Sequence, residues 1–94
     1  MTGKVALITG GGRGIGKEFA GVLTAAGWRV MRTAARSAEE LDATVAALQA
    51  AHGPDAAAGV MADAGREEDA ARAVQETLAR FGRLDALINN AGRG

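Results

Sequence analysis

The chain has no cysteine, one proline, one histidine and only three aromatic residues, Phe19, Trp28 and Phe81, among its 94. Without cysteine there is neither a disulfide framework nor a thiolate metal site, and the lone His52 cannot build a histidine cluster. So few rings leave no platform for stacked bases, which single-strand binders need. An excess of one charge sign is missing as well: 11 basic residues balance 11 acidic ones, so no net field draws the chain to nucleic acid or to an anionic membrane surface. The longest apolar runs fall well short of the ~18–20 residues needed to span a bilayer. A strand-like run starts directly after Met1-Thr2-Gly3, with no secretory signal before it, so a soluble, cytoplasmic protein is expected. The length accommodates one domain and excludes a two-domain enzyme. Apolar residues make up 48% of the chain, many of them Ala, so the side chains available to fill a core are small.

Glycine is what the chain has in quantity, and it sets the rhythm. Gly27, Gly53 and Gly82 each close an Ala-rich helical pattern and each precedes an apolar run, at intervals of about one strand plus one helix. The strands expected are Lys4–Thr9, Arg29–Thr33, Ala58–Ala62 and Leu84–Asn89, the first and last nearly continuous apolar runs of the kind covered on both faces. Between them Ile15, Phe19, Val22, Leu23 and Ala26 recur at helical spacing. So do Leu41, Val45 and Leu48, and then Ala70, Val74, Thr77, Leu78 and Phe81. Ser37 with Glu40 three residues on has the form of a capping box for the second helix. Glu39, Glu40, Glu67, Glu68 and Asp69 sit in first helical turns, where carboxylates favour the positive helix end, and are read as helix-start charges rather than catalysts. The expected fold is α/β, a partial Rossmann-like parallel sheet of four strands in order 3-2-1-4. Right-handed crossovers would put the first two helices on one face and the third on the other.

The chemistry concentrates in Thr9-Gly10-Gly11-Gly12-Arg13-Gly14-Ile15-Gly16, between the first strand and the first helix. At such a turn the free amides of the first helical turn point outward beside the positive end of the helix dipole, so a phosphate fits without a basic side chain. Gly10 permits the tight turn, Gly14 lets a diphosphate approach the backbone, and Gly16 lets the helix lie close to the strands. The usual G-x-G-x-x-G spacing is absent; G-x-x-x-G-x-G at Gly10, Gly14 and Gly16 is what matches. Gly11-x-x-x-x-Gly16-Lys17 also fits the start of a nucleoside-triphosphatase P-loop, with Asp63 as its strand-end acid. Glu18 stands where that loop needs Ser or Thr to hold Mg²⁺.

Together with Asn89-Asn90-Ala91-Gly92 after the fourth strand and Asp63 after the third, this loop resembles the short-chain dehydrogenase/reductase family over essentially the whole chain. The resemblance implies that Gly10, Arg13, Gly14, Ile15 and Gly16 surround the diphosphate and adjoining ribose of a nicotinamide dinucleotide. It implies that Asp63 hydrogen-bonds the adenine, that Asn90, Ala91 and Gly92 line the central ribose, and that Asn89 steadies the sheet. At the end of the second strand an acid selects NAD and an arginine can hold the extra phosphate of NADP. Here Thr33-Ala34-Ala35-Arg36-Ser37 has no acid before Glu39, so NADP is preferred over NAD, with Arg36 as its phosphate contact. Arg36 stands one residue late against the usual family spacing, as if the second strand carried an insertion, and Arg32 or Arg13 is the alternative.

The family's reaction is hydride transfer between the nicotinamide and a carbonyl or alcohol, with a Tyr as acid-base and a Lys that lowers its pKa. This chain contains no Tyr, and Ser37 is a capping residue. Residues 1–94 are therefore expected to be the N-terminal part of one dinucleotide-binding domain, inactive alone, with its catalytic part and its small-molecule substrate site elsewhere. The fourth strand would then present an open edge, able to self-associate. A non-enzymatic dinucleotide-binding module completed by a partner and the triphosphatase are the other readings.

Overall fold

The computed structural model describes residues 3–10, 15–63 and 65–89. Its elements alternate strictly: β1 (Val5–Thr9), α1 (Ile15–Ala25), β2 (Arg29–Ala34), α2 (Ala38–His52), β3 (Ala57–Met61), α3 (Glu67–Phe81) and β4 (Ala86–Asn89). The four strands form one parallel sheet in the expected order, β3-β2-β1-β4. Helix ends fall where the glycines predict. Gly27, Gly53 and Gly82 all have positive φ, and the Gly53 and Gly82 amides donate to the carbonyls of Gln49 and Leu78, ending α2 and α3. At the start of α2 the Glu40 amide donates to Ser37 Oγ at 3.1 Å.

Because the pleat sends successive side chains to opposite faces, neighbouring residues of one strand feed two cores. Ile8 and Val30 pack with Ala20 and Leu23 of α1, while Ala34 and Ala57 pack with Leu41 and Val45 of α2, on one face. Leu7, Met31 and Ala62 meet Ala73 of α3 on the other, flanked by Val74 and Phe81.

The apolar stripes read from helical spacing are corrected in their detail. Phe19 and Val22 are 44% and 66% exposed, and Leu78 is exposed as well. Leu23, Val74, Phe81 and Thr77 do pack on the sheet as expected, but the fully buried residues of α1 and α3 are small. Ala20 and Thr24 of α1 are buried, as are Ala73 and Thr77 of α3. Beneath the axes of these two helices the sheet leaves room only for small side chains, and larger ones splay to the flanks. Each buried threonine donates its hydroxyl to the carbonyl of the alanine four residues earlier, Thr24 to Ala20 at 2.8 Å and Thr77 to Ala73 at 2.7 Å, so neither hydroxyl is left unsatisfied. Gly59 of β3 serves the same close approach: a Cβ there would stand 3.0 Å from Leu41 Cγ and 3.1 Å from Val45 Cγ2.

The strand limits move by one or two residues from expectation, and β4 departs most. Leu84 and Asp85 lie before it, and its Leu87 is 58% exposed. β1, flanked by strands on both sides, is buried throughout, whereas β4 has a neighbour on one side only among the described residues. No helix among the described residues is long and apolar enough to cross a membrane.

Candidate functional site

In a parallel sheet every strand ends at the same rim, so loops distant in sequence converge there. Gly10 leaves β1 with φ of +97°, a conformation that favours glycine, and its amide donates to Thr33 Oγ1 of β2 at 3.1 Å. Thr9 donates its hydroxyl to Asn89 Oδ1 of β4, also at 3.1 Å. The end of β1 is thereby fastened to both neighbouring strands, and Asn89 steadies the sheet as expected. From this anchor the glycine-rich segment leads into α1, eleven residues long, which Ile15 and Gly16 open. Arg13 and Gly14 lie outside the described residues, as do Asn90, Ala91 and Gly92.

Position is enforced from the opposite rim too. Asp85, just before β4, accepts from the Val5 amide at 2.8 Å, and its own amide donates to the Val5 carbonyl at 2.8 Å. Arg83 grips the same carboxylate with two bonds of 2.9 and 2.8 Å. The Arg83 bond first, and then the Val5 amide, hold the Asp85 carboxyl below its ordinary ionisation range. This latch sets β4 in register with β1, so that Asn89 arrives opposite Thr9.

Arg36 is exposed in the connection between β2 and α2, immediately before the Ser37 cap. The expected insertion leaves no bulge in the strand. β2 pairs with β1 and β3 without a break, Val5 with Arg29 through Ile8 with Arg32 and Val30 with Ala57 through Ala34 with Met61. Arg32, the alternative phosphate contact, lies between Ile8 and Gly59 on the face covered by α1 and α2 and is wholly buried. Burial lowers its pKa. A guanidinium so placed is part of the interior rather than a surface arm.

Asp63, one residue beyond the buried Ala62, is exposed at the end of β3. It does not cap α3, whose N-cap is Arg66 with no side-chain cap bond. Instead Asp63 Oδ1 accepts from the Gly65 amide at 2.9 Å and its carbonyl from the Arg66 amide at 2.9 Å. The Asp63 amide donates to Asp69 Oδ2 at 2.8 Å. Asp69, read from sequence as a helix-start charge, thus reaches back across the turn, and that backbone bond is the first cause of its lowered pKa. Thr33, Asp69 and Asp85 are the positions sequence reasoning missed. Each acts on a main-chain amide remote from it or across a turn, which no spacing pattern reveals.

The sequence model of the family described as short chain dehydrogenase matches residues 4–94. The chain belongs to the short-chain dehydrogenase family. Its members bind a nicotinamide dinucleotide, NAD or NADP, and small-molecule substrates. Tetrahydroxynaphthalene reductase of Pyricularia oryzae is 44% identical over 92 residues, covering 98% of this chain and 32% of that one. A 3-oxoacyl-acyl-carrier-protein reductase of Synechocystis is 41% identical over 92 residues, covering 98% and 36%. A short-chain dehydrogenase/reductase of Serratia marcescens superposes with a TM-score of 0.89 at 36% identity, covering 98% of this chain and 37% of its own. The chain spans about a third of the length of these relatives, 32% and 36% of the two reductases. Membership decides against the triphosphatase reading.

Proposed function

We propose that residues 1–94 form the N-terminal, dinucleotide-binding part of a cytoplasmic oxidoreductase that prefers NADP and moves a hydride between the nicotinamide and the carbonyl or alcohol of a small molecule. The observation that carries this reading is the fastening of the β1 end to β2 and β4 through Gly10 with Thr33 and Thr9 with Asn89, which supports a preformed rim at the mouth of the glycine-rich loop. The residues present fit the cofactor. A glycine with positive φ leads toward the N-terminus of α1, where outward amides favour a diphosphate. An exposed arginine stands at the end of β2 with no acid from Thr33 to Ser37.

In this reading Gly10, Arg13, Gly14, Ile15 and Gly16 hold the diphosphate and its ribose, Arg36 the additional phosphate, Asp63 the adenine amino group, and Asn90, Ala91 and Gly92 the central ribose. The cofactor supplies hydride chemistry, and these residues bind and orient it. The acid-base tyrosine of the family is not among these 94 residues, which contain none. The open edge of β4 is read as a place where a second copy of the chain pairs, to be checked by gel filtration across a range of concentrations.

Titration of the 94-residue chain with NADPH and with NADH, followed by the fluorescence of the bound reduced nicotinamide, tests the reading. Saturable binding that favours NADPH, and a preference lost in Arg36→Ala, are expected. A folded chain that binds neither dinucleotide refutes it.

A further inference from the structure

The β3–α3 turn is braced twice, where it leaves β3, by side chains of α3. Arg72 Nη2 donates to the Met61 carbonyl at 2.7 Å, where the chain leaves β3, and Asp69 Oδ2 accepts from the Asp63 amide at 2.8 Å two residues later. Asp69 and Arg72 are one helical turn apart, and Arg72 Nη2 stands 3.7 Å from Asp69 Oδ1, so each helps orient the other. Asp63 is then held at three atoms: its amide by Asp69, its carbonyl by the Arg66 amide, and carboxylate Oδ1 by the Gly65 amide. This fastening restricts an exposed residue whose side chain an unbraced turn would leave in many orientations.

A carboxylate with one oxygen tied to its own turn presents the other to a donor from outside, and a base amino group is such a donor. Helix capping does not explain the arrangement, since Asp69 reaches back past the first turn of α3 to an amide outside the helix.

We propose that Asp69 is a positioning residue for the adenine half of the cofactor site, closing the β3–α3 turn on the Asp63 amide and so fixing where the Asp63 carboxylate stands. The proposal rests on the adenine contact of Asp63 given above. It makes the affinity for the adenine half depend on a residue that touches no part of the cofactor.

The test uses the 94-residue chain and its Asp69→Ala, Asp69→Asn and Asp63→Ala variants, titrated by NMR with adenosine 2′,5′-bisphosphate as the adenine half and with reduced nicotinamide mononucleotide as the other. Asp69→Ala is expected to weaken the bisphosphate by about three- to tenfold, the worth of one hydrogen bond to an ordered group, and to leave the mononucleotide unchanged. Asp69→Asn, which keeps an acceptor oxygen, recovers most of the loss. Unchanged bisphosphate binding in Asp69→Ala, beside a weakened Asp63→Ala, overturns the positioning role alone. Equal losses for both halves also overturn it, because they report general loosening. Parental bisphosphate binding in Asp63→Ala overturns the adenine contact itself, and the proposal with it.

Discussion

Gly59 is where the seating of α2, and with it the placement of Arg36, is most sharply set. Alanine there would put a methyl carbon 3.0 Å from Leu41 Cγ, 3.1 Å from Val45 Cγ2 and 3.2 Å from Leu41 Cδ1, inside the ~3.5–4.0 Å at which carbon contacts are favourable. The two closest atoms belong to side chains buried between helix and sheet, and Cγ is a branch point that cannot swing clear as a free end would. Relief therefore requires α2 to lift. Overpacking of this kind costs about 1–3 kcal/mol. Against it, alanine restricts the unfolded chain and returns roughly 0.4–1 kcal/mol. The net expectation for Gly59→Ala is a loss of about 0.5–2 kcal/mol, with a melting temperature lower by about 4–8 °C for each kcal/mol in a domain of this size. Thermal and urea unfolding followed by circular dichroism measure it. Adding Leu41→Ala tests the cause: the double variant should be more stable than the sum of the two losses by about 0.5–3 kcal/mol, since the clash disappears with the Leu41 side chain. A Gly59→Ala chain that melts at or above the parent, or additive effects in the double variant, would refute the reasoning.

Ser37→Ala removes the acceptor for the Glu40 amide and should cost about 1 kcal/mol, most of it restored by Asp at the same position, as urea midpoints would show. Thr33→Val leaves the Gly10 amide without its hydroxyl partner, so NADPH affinity should fall by about tenfold while Thr33→Ser keeps it, measured by the fluorescence titration. Asp69 and Asp85 both ionise below the ordinary carboxyl value of 3.8 in the folded chain. A carboxyl with a depressed folded pKa contributes stability that is whole above its unfolded pKa and is lost as pH falls toward the folded one. Urea midpoints should therefore hold near neutrality and decline below about pH 4. Asp85→Asn, which cannot ionise, should flatten that decline, and an unchanged profile in this variant would assign it elsewhere.

Much of this molecule is legible in the order of its residues. Gly27, Gly53 and Gly82 end helices because a positive φ suits glycine, and Ser37 caps α2 because its hydroxyl reaches an amide three residues on. The strand order is the one expected of the sequence, and chirality assigns each crossover helix to its face. The helix ends and the cap are local, and the helix faces follow from the handedness of the chain. What the residue order left undecided depends on distances between segments. Periodicity places Phe19, Val22 and Leu78 on the apolar stripes beside Leu23, Val74, Thr77 and Phe81, yet the first three are exposed while Ala20, Thr24 and Ala73, outside those stripes, are buried, because clearance beneath a helix is a property of the packed layers. Arg32 could not be told from a surface arginine until α1 and α2 covered it. Asp69 and Asp85 look like ordinary surface acids in sequence, and only the folded turns bring their oxygens to the amides of Asp63 and Val5. Secondary structure arises from near neighbours and chirality sets the hand of the crossovers, whereas the roles of these side chains arise from groups that meet only once the sheet has assembled.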